Sequence, residues 1–385
     1  MRILKMGQVG GGIGAFIGEV HRKAARMDGG IELTAGAFDV VPSKSLRQGK
    51  NLGLDPKRVY STYEEMIAKE SALPPGERVD FVSVCTPNHT HFPIAKACLK
   101  AGFHVMCEKP MTLTVAEAEE LAALVKSSGK VFGLMHNYTA YPMVKLARDM
   151  VKQGDLGTLR KVVVQYPQGW LYQLAEKSGN MQASWRTDPK TSGVAGAMGD
   201  IGTHAANLAE YITGVKITRV LADLTAFVKG RKLDDDGNVL LRFQKGVKGV
   251  LHASQISVGE ENNLAIWVYG DKKGLWWRQE NPNELHVLCQ TAPEEIWRRG
   301  NGYVAEKSKA AARGTRIPSG HPEGFLEAFA NNYCNFADTI RAKAEKRKPS
   351  PEELDFPSVE AGVRGMKFIH AVVTSSKKGS VWVKI

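Results

Sequence analysis

Cysteine is scarce in this chain and its spacing suggests no pairing. Cys85, Cys98, Cys107, Cys289 and Cys334 are an odd number with no C-x-x-C pair. That argues against a disulfide framework and a cysteine zinc site, and no metal is expected. Such usage fits the reducing cytoplasm, the compartment expected here. No run of ~20 apolar residues is present, and Met1-Arg-Ile-Leu-Lys-Met-Gly7 leads straight into a patterned segment. Neither a membrane association nor a signal peptide is therefore expected. There is no internal repeat and no low-complexity tract. Acidic residues are in deficit, 40 against 52 Lys and Arg, which leaves a net charge of +12. The excess is dispersed, and its densest run, Arg341-Ala-Lys343-Ala-Glu-Lys346-Arg347-Lys348, has no interleaved aromatics. It reads as a solvated helix end, so no nucleic-acid partner is expected.

What is present is an alternation. Residues 3–9 form a strand candidate that runs into Gly10-Gly11-Gly12-Ile13-Gly14, followed by a helical pattern with Phe16, Ile17, Val20, Ala24 and Met27 on one side. Strands are expected at 31–38, 79–85, 104–107 and 131–135, with helices at 91–100 and from Thr114 to about Ser127. Thr114-Val-Ala-Glu117 is a capping box, and Gly129 is a stop signal. This rhythm argues for a doubly wound parallel sheet over residues 1–136. After one more helix at 143–153 the pattern changes. Strands from Lys161, at 238–243, 249–257, 264–269 and 284–290, joined by turns such as Lys245-Gly246, argue for a large, open, mostly antiparallel sheet in a second α/β domain, 137–385. The charged stretch 295–318 reads as a long loop, and 325–341 and 358–375 as helices.

Three clusters carry chemistry. Gly10, Gly12 and Ala15 match G-x-G-x-x-A between a strand and a helix, with Gly14 inside the turn. Such a turn lets the backbone approach a pyrophosphate at a helix N-terminus. Asp39, at the end of the second strand, can accept both ribose hydroxyls and repel a 2′-phosphate, which favours NAD over NADP. Lys44 nearby argues mildly the other way. Cys85-Thr86-Pro87-Asn88-His89 and Glu108-Lys109-Pro110 each follow a strand, where ligands gather in doubly wound sheets. A lysine held beside a positive charge gives up its proton more readily. Taken alone, a lysine such as Lys109 is more often a surface residue. In the second domain Asp200 and His204 stand i, i+4 in Gly199-Asp200-Ile201-Gly202-Thr203-His204, a spacing that puts both on one face of a helix. The bland alternative is a helix cap and a core histidine.

The order of these clusters resembles the Gfo/Idh/MocA oxidoreductases, the group of glucose–fructose oxidoreductase and inositol dehydrogenase. The resemblance spans almost the whole chain. It rests on Val-Ser-Val-Cys-Thr-Pro-Asn-His, Glu108-Lys109-Pro110, Trp185-Arg186 and the Asp200–His204 cluster. It implies a Rossmann domain followed by an open-sheet domain, with that sheet joining copies into a homodimer or homotetramer. It implies a catalytic set of Lys109, Asp200 and His204. Pro87, Asn88 and Glu108 would line the nicotinamide side of the NAD site, to which Thr86, His91 and Lys109 would also belong. His136, Asn137, Tyr138, Trp185, Arg186 and His321 join Asp200 and His204 as candidates for holding a sugar, cyclitol or other polyol. The reaction implied is oxidation of a secondary alcohol. Two other readings stay open: a glycosidase working through transient NAD oxidation, and a non-catalytic regulator resembling the yeast galactose-pathway repressor. The glycine-rich turn is longer than the family's common form.

Overall fold

In a computed structural model, which describes residues 2–385, the chain divides into two units. The first comprises Met1–Asn137 and Phe325–Val363, and the second Tyr138–Gly324 and Arg364–Ile385. The first contains five parallel strands, β1 (Leu4–Gly10), β2 (Ile31–Ala37), β3 (Phe81–Cys85), β4 (His104–Cys107) and β5 (Phe132–Leu134), in the order β2-β1-β3-β4-β5. All five residues of β3 are buried, as a strand covered on both faces requires. Gly10 pairs with Cys85, Val84 with Cys107, and Cys107 with Leu134. That register brings the loops after β1, β3, β4 and β5 out along one edge of the sheet. The helix Val115–Ser128 begins with the expected capping box and ends on Gly129 in the left-handed conformation (φ 62°).

The sequence reading assigns everything beyond 137 to the second domain. The chain instead returns: Phe329, Tyr333, Phe336 and Ile340 of the helix Phe325–Ala344 pack on Leu4, Met6, Phe81 and Met106. Periodicity shows that a helix has an apolar face but not which sheet receives it. The helix Phe16–Arg26 also differs from its expected pattern. Phe16 is 66% exposed and Met27 is exposed as well, and the buried face is Gly18, Val20, His21, Ala24 and Ala25. A histidine at a core position breaks the apolar count unless its polar partners are known.

The second unit is built on nine strands: β6 (Lys161–Pro167), β7 (Ile217–Thr225), β8 (Asp236–Phe243), β9 (Lys248–Ser254), β10 (Ala265–Tyr269), β11 (Lys273–Arg278), β12 (Glu284–Cys289), β13 (Glu295–Arg298) and β14 (Val383–Lys384). Their order is β13-β12-β11-β10-β6-β9-β8-β7-β14. Only the β6–β9 pair is parallel among the described residues. Opposed residues share a face of the sheet. One row of opposed residues crosses eight strands: Ile296, His286, Trp276, Trp267, Val163, Val250, Leu240 and Leu221. Each member is half-buried or exposed, while its neighbours along the strand are mostly buried on the opposite face. The stretch expected as a loop at 295–318 contains β13 and the short helices Gly302–Lys307 and Lys309–Arg313. Charge on an edge strand protects it from pairing, and in the sequence that charge resembles a loop.

Candidate active site

Each unit concentrates functional side chains at one place. In the first, the glycine turn follows β1 with Gly10, Gly11 and Gly14 at positive φ. A Cβ on Gly10 would lie 2.7 Å from Cys85 O, and one on Gly12 2.9 Å from Phe38 O and 3.3 Å from Asp39 Oδ2. Asp39 therefore sits beside the second glycine of the fingerprint. Close approach between the turn and the following helix depends on Gly18, where a Cβ would run into the Gly11 Cα. Ala15 is the N-cap of the helix Phe16–Arg26 and supplies no side-chain hydrogen bond to it. The first-turn N–H groups are thus left without a side-chain cap at a glycine-lined turn, an arrangement that fits a pyrophosphate. Arg22 steadies the turn by donating to Gly11 O at 2.8 Å and Gln8 Oε1 at 3.1 Å.

The loops after β3 and β4 are braced together. His91 is buried, with Nδ1 2.8 Å from Pro110 O and Nε2 2.8 Å from Thr86 O. Burial pushes its imidazole down, against the two carbonyl oxygens. Its ring nitrogens face protein carbonyls, so its evident role is to join the two loops. Thr90 donates to Thr86 Oγ1 at 2.7 Å, and Asn88 is buried beside Pro87. Glu108 is buried at the end of β4. Burial works against its ionisation, yet His21 and Lys109 outweigh that and hold the carboxyl below its ordinary range. Its Oε2 accepts the N–H of Lys109 at 3.0 Å. His136 follows β5 and is buried. Desolvation, then the charge of Lys109, pushes it down to about 3, so it is neutral. Asn137 is also buried, and its Nδ2 has no hydrogen-bond partner.

In the second unit Asp200 and His204 do not share one regular helix. Met198–Gly202 is a single π turn leading into the helix Thr203–Thr213, a form that recurs at functional sites. Gln255 Nε2 donates to Asp200 Oδ2 at 2.9 Å, and Arg186 Nε lies 3.3 Å from the same oxygen, an ion pair off the hydrogen-bond direction. The Arg186 guanidinium lies over the Trp185 ring at 4.2 Å. His204 is buried, edge-on to Tyr138 at 4.8 Å. The Tyr138 and Tyr166 hydroxyls bond each other, and Tyr166 donates to Asn262 Oδ1 at 2.6 Å. Gln168 Nε2 donates to the same Asn262 oxygen at 2.8 Å. Burial first, then Tyr138, pushes the Tyr166 phenol well above its ordinary range, so it keeps its proton. The parallel pair β6–β9 explains the convergence. Pro167 and Ser254 are in register, so Gln168 and Gln255 leave adjacent carboxyl ends.

The structure gathers Tyr138, Trp185, Arg186, Asp200 and His204 into this second-unit cluster. His321 is not part of it. It is exposed, and its imidazole faces Ser319 O in its own loop. The sequence reading missed Tyr166, Gln168, Gln255 and Asn262, which the alternation of the sheet and its one parallel pair would have been needed to find. It also missed Asp234. Both Asp234 oxygens and its carbonyl accept consecutive backbone N–H groups: Gly196 at 2.7 Å, Met198 at 2.8 Å and Ala197 at 2.8 Å. The run Asp234-Asp235-Asp236 was the available signal. Asp234 thus caps, from a distance, the segment that opens into Asp200 and His204. Among the described residues, no cluster of three or more His, Cys, Asp or Glu side chains forms a metal site, and no helix is long and apolar enough to cross a membrane.

Comparison with known proteins gives a consistent picture. A family model described as an oxidoreductase family with an NAD-binding Rossmann fold matches residues 5–136, and a GFO/IDH/MocA C-terminal domain model matches 144–276. The chain is 35% identical over 384 residues to the uncharacterized oxidoreductase YfiI of Bacillus subtilis, covering 99% of this chain and 96% of that protein. It is 26% identical to a levoglucosan dehydrogenase of Pseudarthrobacter phenanthrenivorans, covering 78% and 79% respectively. It superposes with a TM-score of 0.93 and 35% identity on an inositol dehydrogenase homolog of Azotobacter vinelandii solved with NAD+, covering 100% of this chain and 98% of that one. A second structure of an inositol dehydrogenase homolog from that organism holds NADH and myo-inositol. It gives a TM-score of 0.90 at 34% identity, with 100% and 98% covered.

Asp234 generates a pH dependence of known sign. Burial raises its carboxyl to about 6 against the opposing N–H donors, above the ~3.9 of an unfolded chain. The folded state then holds more protons between these values. Its contribution to stability is complete below the lower one and is lost as pH rises through about 6. Relative to Asp234→Asn, which cannot titrate, the wild-type protein should lose thermal stability as pH is raised from about 4.5 to 7. Melting curves that keep a constant offset over that range would contradict this.

Proposed function

The chain belongs to the Gfo/Idh/MocA oxidoreductase family, and on that premise we propose that it is an NAD-dependent dehydrogenase oxidising a secondary alcohol of a sugar, cyclitol or related polyol. The observation that carries the substrate class is the second-unit cluster. Tyr138, Tyr166, Asn262, Gln168 and Gln255 form an amide–hydroxyl network adjoining Asp200 and Arg186. Neutral donors and acceptors of this kind suit several hydroxyls at once. The names of two relatives, an inositol dehydrogenase homolog with bound myo-inositol and a levoglucosan dehydrogenase, support the same class.

NAD, when bound, supplies the acceptor for the substrate's hydride. Gly10, Gly12, Gly14 and Ala15 would hold its pyrophosphate, and Asp39 its adenosine ribose. Thr86, Pro87, Asn88, Glu108 and Lys109 would line the nicotinamide side, with His91 bracing their loops. His204 takes the hydroxyl proton as general base, while Lys109 polarises the oxygen and shares that proton. Asp200, held by Arg186 and Gln255, orients His204 or fixes a neighbouring hydroxyl. His136, Asn137, Tyr138 and Trp185 complete the proposed substrate contacts. The sheet row from Ile296 to Leu221 supports a further proposal, that a second copy of this chain covers that face. An apolar stripe bearing Trp267 and Trp276 across eight strands is unusual on a free monomer.

Three measurements test this reading. In the unmodified protein NAD should outperform NADP, and Asp39→Ser should narrow the gap, whereas equal kinetics with both cofactors would refute the role of Asp39. Lys109→Met keeps aliphatic bulk and deletes the amine. Turnover on inositols, hexoses or anhydrosugars should fall ~10²–10⁴-fold with NAD affinity little changed, and near-normal turnover would remove Lys109 from the proton path. Light scattering at micromolar concentration should give a multiple of 42.1 kDa. A monomer would leave the sheet face uncovered and sink the assembly proposal.

A further inference from the structure

His21 is fully buried on the helix that follows the glycine turn. Its Nε2 is 2.9 Å from Glu108 Oε1, and its Nδ1 is 2.6 Å from the Tyr333 hydroxyl. Tyr333 in turn lies 2.9 Å from Ser83 Oγ. Burial pushes the Tyr333 phenol well above its ordinary range, so it keeps its proton. These groups admit one directional arrangement in which every donor finds an acceptor. Ser83 donates to Tyr333, Tyr333 to His21 Nδ1, His21 Nε2–H to one Glu108 oxygen, and the Lys109 N–H to the other. The arrangement needs only a neutral imidazole and leaves one negative charge, on Glu108.

We propose that His21, backed by Tyr333 and Ser83, is a positioning residue for Lys109. It keeps Glu108 ionised and fixes its carboxylate plane, and that carboxylate holds the Lys109 backbone at the end of β4. This rests on Lys109 taking part in proton transfer. A buried carboxyl that loses its donor takes up a proton instead. Without His21, Glu108 would become neutral and turn, and Lys109 would lose both a fixed anion and its backbone anchor. The other titratable groups around Glu108 are Lys109 itself, His91 and His136, whose imidazoles burial pushes down, and the Cys85 and Cys107 thiols, which burial pushes up. His91 and His136 are thus neutral and neither thiol is ionised, so none of them takes over the N–H that His21 gives to Glu108. The position of His21 one turn beyond Gly18 also ties Lys109 to the helix whose start is set by the Gly11–Gly18 contact.

The test compares His21→Phe, which deletes the donor, with His21→Gln, which can restore an N–H near Nε2. Infrared difference spectra at neutral pH, with Glu108→Gln assigning the band, report whether Glu108 is protonated. Turnover and the KM for NAD are measured alongside. The expected result is a protonated-carboxyl band in His21→Phe, with kcat lowered at least about tenfold and the KM for NAD changed much less. His21→Gln should show no band and recover most of the turnover. Tyr333→Phe, which leaves His21 in place, should fall between the two and carries the test if His21→Phe does not fold. Wild-type turnover without a band in His21→Phe, or without any loss in Tyr333→Phe, overturns the proposal. A band with unchanged turnover overturns the catalytic reading of Lys109 instead.

Discussion

Glu108 is a carboxylate kept at 7% exposure, and the functional edge of the first unit is organised around what that demands. A buried charge persists only with donors on its oxygens. The donors come from the helix after the glycine turn and from the backbone of Lys109. His21 needs a partner of its own, and that partner, Tyr333, is on the helix Phe325–Ala344. Satisfying one carboxylate thus ties together three pieces of chain remote in sequence, and the residue they converge on directly precedes Lys109, the lysine proposed for proton transfer.

The second unit repeats the logic with a different outcome. Asp234 is a half-buried carboxylate whose donors are backbone N–H groups of Gly196 and Met198, and desolvation raises its carboxyl to about 6. The backbone donors at Asp234 work against the neighbouring charge of Asp235, whereas Glu108 has the attraction of the Lys109 charge in addition to its donors. One carboxylate is held ionised beside a lysine, and the other is poised near neutrality at the head of the segment bearing Asp200 and His204.

Much of this was legible in the sequence where the signal is local. The capping box at Thr114, the helix His91–Lys100 and the strand His104–Cys107 depend on neighbours within a few residues. The glycine turn and the Glu108-Lys109-Pro110 segment were recognisable because strand and helix signals flank them. What escaped depends on register or return. Gln168 and Gln255 meet because β6 and β9 run parallel, and Asn262 reaches Tyr166 because β10 pairs antiparallel with β6. The π turn at Met198–Gly202 leaves no mark on an i, i+4 count. His21 looks like a flaw in an apolar stripe until Tyr333, more than 300 residues away, is placed beside it.

The return of Phe325–Val363 to the first unit also has a consequence for biosynthesis. Residues 1–137 leave the ribosome with Leu4, Met6, Phe81 and Met106 still lacking the helix that covers them. All of Tyr138–Gly324 is made before Phe329, Tyr333 and Phe336 arrive. The nascent segment 1–137 therefore spends that interval with an exposed apolar surface, a state that recruits chaperones. For the same reason a truncation at residue 137 is no isolated domain. A stable dinucleotide-binding fragment would require the helix Phe325–Ala344 to be grafted back, either through a short linker or as a separately expressed, complementing peptide.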